Sequence, residues 1–345
     1  MFRTLEADTA NDLWKKAAFL FAEGALGTKQ TSRIGNTTEV MNVALTLHDP
    51  RQRWIATRSP AMNPAFAIAE VVWILQGRND SAMLNYFNTL LPKFAGAGPT
   101  YHGAYGHRLR RRLGIDQLDR AYRALSANAE SRQIVLQIWD AEADFPNENG
   151  SPVAEDIPCN VVSLLKVRNN KLEWTQIMRS NDLFRGFPHN VVQFTSLQEV
   201  FAGWLGVEVG AYHHYSDSLH LYESDGDVRD RIVDCNLPAN TDSLAVSKEE
   251  SDRAFQILGM FCDFLARAET HSAAIVQAVT ELALPPAFNN LGCILAADAL
   301  RRLSALPEMN AVLNRCDNAC LKTMFERWHA KPRPQVAFST KNSVP

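Results

Sequence analysis

Apolar residues recur along this chain with three different periods, and each period predicts a different element. Residues 11–24 alternate apolar and charged positions at helical spacing, which predicts an amphipathic helix capped by Asn11 or Asp12 and ended by Gly24. After Asn63-Pro64, which supplies a helix start, Ala65–Leu75 is apolar around nearly its whole circumference and reads as a buried helix. Glu70 sits in its middle; a carboxylate there needs either a structural partner or a role in proton transfer. Ile134–Trp139, Asn160–Val167 and Leu172–Met178 read as strands, the last two joined by the turn Arg168-Asn169-Asn170. A long helix starts near Pro188, with Phe194, Leu197, Phe201 and Trp204 on one face, and Val207–Tyr215 returns to a strand. Beyond residue 225 strands become scarce. Phe255, Leu258, Cys262 and Leu265 mark one helix, and two or three more fill 273–328. The pattern predicts an α+β unit over residues 1–225 and a mainly helical C-terminal extension over 226–345, packed on that core.

Composition narrows the functional classes. The chain has 345 residues, 46% hydrophobic and 21% charged, with 35 basic against 38 acidic side chains. A net charge of −3 excludes a nucleic-acid binder carried by bulk positive charge, and the apolar content excludes a disordered acidic chain. The most apolar long window, Ala61–Gly77, is interrupted by Glu70, so no membrane span is expected. Residues 1–25 carry seven charged side chains and lack the apolar stretch of a secretory signal, which makes a cytoplasmic location the expectation. The six cysteines include no C-x-x-C pair. Cys316 and Cys320, at helical spacing near His329, read as apolar fillers, and no metal is expected. Two basic features remain: Arg33, set between small residues in the loop Gly27–Thr38 and able to close on an anion, and the run Arg110-Arg111-Arg112, read as solvated.

Chemistry concentrates around Cys159, which follows Ile157-Pro158 where an extended segment enters a strand. Downstream come Arg179-Ser180-Asn181-Asp182, Gly186-Phe187-Pro188-His189-Asn190 and His220-Leu221-Tyr222. A cysteine becomes a nucleophile when positive charge favours its thiolate, and Arg179 is one strand away. A Cys–His hydrolase built on Cys159 and His220 lacks any sign of a third member or an oxyanion hole.

Taken together and in order, these motifs resemble the thymidylate synthase and pyrimidine nucleotide hydroxymethylase family. The Cys-to-Arg, Cys-to-Asn and Cys-to-His separations of 20, 31 and 61 match its pattern, as does Glu70-Val71-Val72-Trp73-Ile74-Leu75-Gln76-Gly77, with Arg33 standing 37 residues before that Glu. The resemblance covers roughly residues 10–225. It implies a mixed sheet flanked by helices, a homodimer, and transfer of a one-carbon unit from methylenetetrahydrofolate to carbon 5 of a pyrimidine nucleoside monophosphate. It further implies that the Cys159 thiolate adds to carbon 6 and that Arg179 lowers the thiol pKa. Arg179 would also bind phosphate with Ser180, Arg33 and Arg132. By the same resemblance Glu70 and Tyr105 would serve proton transfer, Asp182, Gly186, Phe94 and His189 would face the folate, and Asp182, His220 and Tyr222 would complete the nucleotide site. Asn190 would read the base. A side-chain amide donates to carbonyl 4 of uracil and accepts from its ring N–H, which favours dUMP over a cytidine nucleotide.

Five departures from the family's pattern remain. Asn160 replaces the His that usually follows the catalytic Cys, and His189 stands where a folate-facing Phe is expected. Leu90–Ala95 contains no Trp, leaving Phe94 as the nearest ring, and Ser131-Arg132-Gln133 keeps one Arg of an expected pair. The C-terminus, Phe338–Pro345, does not resemble the family's closing tail. With less shielding of a reactive methylene, water capture and a hydroxymethyl product are favoured over methylation to thymidylate. A non-catalytic nucleotide- or RNA-binding relative is the remoter alternative.

Overall fold

The structure is a computed structural model that describes residues 2–22, 27–267 and 269–330. Gly24 and Phe338–Pro345, on which two of the expectations above fall, lie outside these residues.

The strands are β1 (Arg3–Ala7), β2 (Thr28–Thr31), β3 (Asn36–Leu47), β4 (Val135–Gln137), β5 (Asn160–Arg168), β6 (Lys171–Met178), β7 (Asn181–Asp182) and β8 (Glu208–Tyr222). They form one mixed sheet in the order β1-β3-β8-β6-β5-β4, with β2 on β3 and β7 on β8. β3 and β8 are antiparallel, while β6 and β7 run parallel to β8. The β5–β6 hairpin turns through Asn169 and Asn170, whose φ values of 51° and 58° suit the short polar side chain of Asn.

Between the strands run α1 (Ala10–Ala22), α2 (Pro64–Leu75), α3 (Ser81–Phe87), α4 (Pro92–Ala95), α5 (Tyr105–His107), α6 (Gln117–Ala127), α7 (Ala141–Asp144) and α8 (Gly186–Leu205). α9 (Lys248–Leu265), α10 (Ser272–Glu281), α11 (Pro286–Arg302), α12 (Leu306–Leu313) and α13 (Ala319–His329) follow. α2 is buried almost throughout, and Asn63 caps it by accepting from the backbone N–H groups of Ala65 and Phe66. α8 is equally buried against β6 and β8 and ends on Gly206 at φ 67°. α9, α11 and α13 pack on α2, so one continuous apolar core runs from Ala7 to Phe325. No helix among the described residues is long and apolar enough to cross a membrane.

Several local expectations are corrected. α1 starts at Ala10, because Thr9 Oγ1 accepts from the Asp12 backbone N–H; Asn11 instead ties the helix to Ala56 and Thr57. The presumed loop Gly27–Thr38 is mostly a hairpin of β2 and β3, closed between Ser32 and Gly35. β8 runs seven residues past Tyr215 because β3 pairs with it along its length. The Arg-rich run is not simply solvated. Arg108, just before it, is 1% exposed and holds Asp144 through two bonds of 2.6 and 2.9 Å; Arg110 pairs with Asp116 and Arg112 with Asp140. Cys316 lies before α13 rather than in it, and four helices rather than two or three follow α9.

Candidate active site

A cavity of 1290 Å³ opens beside the C-terminal ends of β6 and β7 and the start of α8. Thirteen of the fourteen residues expected at the site line it: Arg33, Glu70, Phe94, Tyr105, Cys159, Arg179, Ser180, Asp182, Gly186, His189, Asn190, His220 and Tyr222. Arg132 does not. It is exposed just before β4, outside the cavity.

Cys159 sits at the entry to β5, where the backbone N–H of Arg179 donates to its carbonyl at 3.0 Å. The Arg179 side chain donates to the carbonyls of Pro158 (2.9 Å) and Ile157 (3.1 Å), so the guanidinium clamps the segment that presents the thiol. Burial pushes the Cys159 thiol above its ordinary value, Arg179 pulls it down, and Asp156 and Asp182 add to the upward push. The net direction is therefore opposite to the lowering expected from Arg179 alone, since desolvation of a thiolate outweighs one guanidinium that is also engaged by carbonyls. Burial likewise raises the Tyr105 hydroxyl far above its usual range, leaving it a proton donor or relay at neutral pH.

Glu70 projects from the middle of α2 and meets His189 of α8, with Nδ1 2.8 Å from Oε2. Both side chains keep a part of their surface open, 15% and 18%, so the pair is wetted from the cavity. His189 also packs on Phe66, with ring centroids 5.0 Å apart. Of the alternatives that the sequence left for Glu70, the structure supplies the structural partner, His189.

On the sheet side, Asp182 accepts from the backbone N–H groups of Phe184 and Arg185 at 2.7 and 2.9 Å and from the Arg185 side chain at 3.1 Å. Arg185 continues to Asp225 and lies over the Tyr222 ring at 4.9 Å. The Ser180 hydroxyl is 3.5 Å from His220 Nδ1, and burial lowers the His220 pKa, keeping a neutral ring beside it. Arg33, at the hairpin tip, donates to the Phe94 carbonyl at 2.8 Å and so joins two walls of the opening. Gly186 lets the backbone come close to Asn190: a Cβ there would lie 3.5 Å from Asn190 Nδ2 and 3.3 Å from Asn181 Oδ1.

The cavity also recruits residues that sequence reasoning missed. Asp156 accepts from the Gly103 N–H at 2.8 Å, and burial raises its pKa; it belongs to the segment Glu142–Asp156 that sets Cys159 apart from β4. Burial takes the Arg58 guanidinium down to about 10, against the raising pull of Asp182 and Asp225. Arg301, Arg302 and Trp328 reach the cavity from α11 and α13. Asp298, wholly buried, holds both arginines at 2.8 Å, while Arg301 lies 4.5 Å over the Trp328 ring and Arg302 5.0 Å over Tyr86. Only the adjacency of the two arginines in sequence could have hinted at this rim.

A volume of 1290 Å³ exceeds the roughly 300–1,000 Å³ of a typical single-ligand pocket. Its lining combines a thiol with arginines and aromatic rings, several of them in direct contact: Arg185 lies over Tyr222 and Arg301 over Trp328.

Residues 21–261, more than half of the chain, match the family model described as thymidylate synthase. Among curated proteins, the chain is 36% identical to the deoxyuridylate hydroxymethyltransferase of Bacillus phage SP01, over 54% of this chain and 51% of that protein. It is 34% identical to that of Pseudomonas phage M6, over 57% and 56%. With that of Delftia phage PhiW-14 the identity is 28%, over 57% of each chain. The chain thus spans about half the length of the curated relatives it matches. The ordered site residues and the extent of the family match together establish that the chain belongs to the thymidylate synthase family.

Proposed function

We propose that the protein transfers a one-carbon unit from methylenetetrahydrofolate to carbon 5 of dUMP and releases a 5-hydroxymethyl nucleotide. The observation that carries this reading is the wetted Glu70–His189 pair, 2.8 Å apart, in the same cavity as Cys159. Cys159 adds to carbon 6 of the base, and carbon 5 gains nucleophilic character. Methylenetetrahydrofolate supplies the carbon at the oxidation level of formaldehyde. Tyr105 and Glu70, which line the cavity, are assigned to removal of the carbon 5 proton; the bond between the transferred carbon and the folate nitrogen breaks with tetrahydrofolate as leaving group, and Glu70 held by His189 takes a proton from a water that attacks the exocyclic methylene left on carbon 5. Expulsion of the thiolate restores the ring. Arg179, Ser180 and Arg33 are assigned to the phosphate, His220 and Tyr222 to the sugar, and Asp182, Gly186, Phe94 and His189 to the folate face. The phage relatives bear the name deoxyuridylate hydroxymethyltransferase, which supports the same reading.

Methylation to thymidylate is the second reading, favoured by one feature. Phe94 and Trp328 both line the cavity and could shield the transferred carbon from water. Mass spectrometry of the product decides between them. Incubation with dUMP and methylenetetrahydrofolate is expected to add one formaldehyde unit without the absorbance of dihydrofolate. A gain of one CH₂ with stoichiometric dihydrofolate overturns hydroxymethylation, and no product from dUMP, UMP, dCMP or CMP overturns both.

A cytoplasmic homodimer completes the proposal. Arg132, exposed and remote from its own cavity, is free to serve the phosphate site of a partner.

A further inference from the structure

A line of buried amides leads from the sheet to the cavity. Trp174 Nε1 donates to Gln176 Oε1 at 3.2 Å, which also meets the Ser163 hydroxyl at 2.5 Å. Gln176 Nε2 donates to Asn160 Oδ1 at 2.9 Å, and Asn160 Nδ2 to Asn190 Oδ1 at 3.3 Å. Asn190 Nδ2 donates to Asn181 Oδ1 at 3.3 Å. Asn181 Nδ2 then donates to His214 Nε2 at 2.9 Å and Ser216 Oγ at 3.1 Å, and His214 Nδ1 lies 3.0 Å from the Tyr212 hydroxyl. Trp174, Gln176 and Asn160 are completely buried, and Asn181 and His214 nearly so; Asn190 and Asn181 are the members that also line the cavity.

This chain of bonds has a fixed direction. An indole N–H donates and cannot accept, so Gln176 must turn its oxygen to Trp174 and its nitrogen to Asn160. Each following amide is then set head to tail. A reversed Gln176 would face N–H against N–H at one end and oxygen against oxygen at the other, with no water to relieve either. At the far end burial lowers the His214 pKa to about 3, so the ring is neutral and its bare Nε2 accepts from Asn181.

We infer that this relay sets the choice of base by locking the amide orientation of Asn190. The inference rests on the reading that Asn190 faces the pyrimidine. A primary amide has two N–H bonds and two lone pairs on oxygen; the relay uses one of each and leaves one of each for a ligand, in a fixed order. Uracil presents an acceptor at carbon 4 and a donor at nitrogen 3, and cytosine presents the inverse. A freely turning amide would serve both. The locked amide serves cytosine only if Gln176, Asn160, Asn190 and Asn181 all turn over and His214 changes tautomer. Trp174, Gln176 and Asn160 are therefore positioning residues for specificity, acting through Asn190.

The test is calorimetric titration of the full chain with dUMP and with dCMP, for the wild type and Trp174→Phe. The wild type is expected to prefer dUMP. Removing the donor-only anchor lets the relay run either way, and the preference falls by about tenfold or more, on the scale of one paired base contact, while dUMP affinity changes little. An unchanged preference in folded Trp174→Phe overturns the inference, as does equal weakening of both nucleotides, the mark of a purely structural role. If Trp174→Phe does not fold, Gln176→Met cuts the relay at the next link and is judged by the same criteria. A wild type that binds neither nucleotide removes the relay's role together with the proposed function. One that binds dUMP selectively but transfers no carbon overturns only the proposed function.

Discussion

Cys159→Ser is expected to lower turnover of dUMP by roughly 10⁴-fold or more, the scale on which loss of a covalent nucleophile acts, with dUMP affinity nearly unchanged. The hydroxyl keeps the size and position of the thiol, and the Arg179 clamp on Ile157 and Pro158 does not involve the side chain of residue 159. The burial that raises the thiol bears harder on an alcohol, whose ordinary pKa is far higher, so the anion needed for addition to carbon 6 is not formed. Release of tritium from carbon 5 of labelled dUMP is the measurement. Wild-type rates in the variant would show that the chemistry does not pass through this residue. Alkylation of Cys159 against pH gives an independent reading: the midpoint in the free protein lies above that of an ordinary thiol, and Arg179→Met moves it higher still.

Arg108→Met should cost about 3–5 kcal/mol of stability, because it leaves the Asp144 carboxylate buried without its main partner. Arg108 also donates to the carbonyls of His102 and Ile138, and His102 Nε2 lies 2.7 Å from Asp144, so one guanidinium gathers the turn before Tyr105, the strand leading to α7 and α7 itself. Burial pushes the Asp144 carboxyl up, and bonds from Arg108, the Asp140 N–H and His102 outweigh it and hold the carboxyl below its ordinary value. A carboxylate lowered in the folded state stabilises fully above its unfolded pKa of about 3.9, and that stabilisation is lost as pH falls through the lowered value. In Arg108→Met the acid-unfolding midpoint therefore moves to higher pH. Thermal melts between pH 2 and 7 test both statements; a variant with wild-type melting across that range would refute them. Tyr105, three residues away, should lose its position with the network, so tritium release falls as well.

The gathering of Cys159, Arg179, Asn190 and Glu70 at one cavity is legible in sequence because the chemistry that the family resemblance implies asks for particular residue types: a thiol, arginines, an amide and a carboxyl. Long apolar runs made α2 and α8 equally plain. The elements that went unread fail for local reasons. In β3, Asn42 adopts φ 59° and breaks the alternation between Val40 and Val43, and in β8 the polar Ser216-Asp217-Ser218 looks like a turn until β3 is laid beside it. The neutralising partners of the arginines lie elsewhere along the chain, Asp144 for Arg108 and Asp140 for Arg112, so a run of charge looked solvated. The amide relay is less legible still. Gln176 and Asn160 are ordinary polar residues on adjacent strands, and only their register, which sets Asn160 beside Met178, brings them together with Asn190.

Asp298 has a consequence for how such an enzyme can diverge. Its carboxylate, in α11, orients two arginines that line the cavity, and all three residues lie beyond residue 261, where the family match ends. The thirteen expected residues that line the cavity lie within the matched stretch, whereas Arg301, Arg302 and Trp328 lie outside it. Substitutions beyond residue 261 can thus reshape one wall of the cavity and leave every matched residue that lines it unchanged.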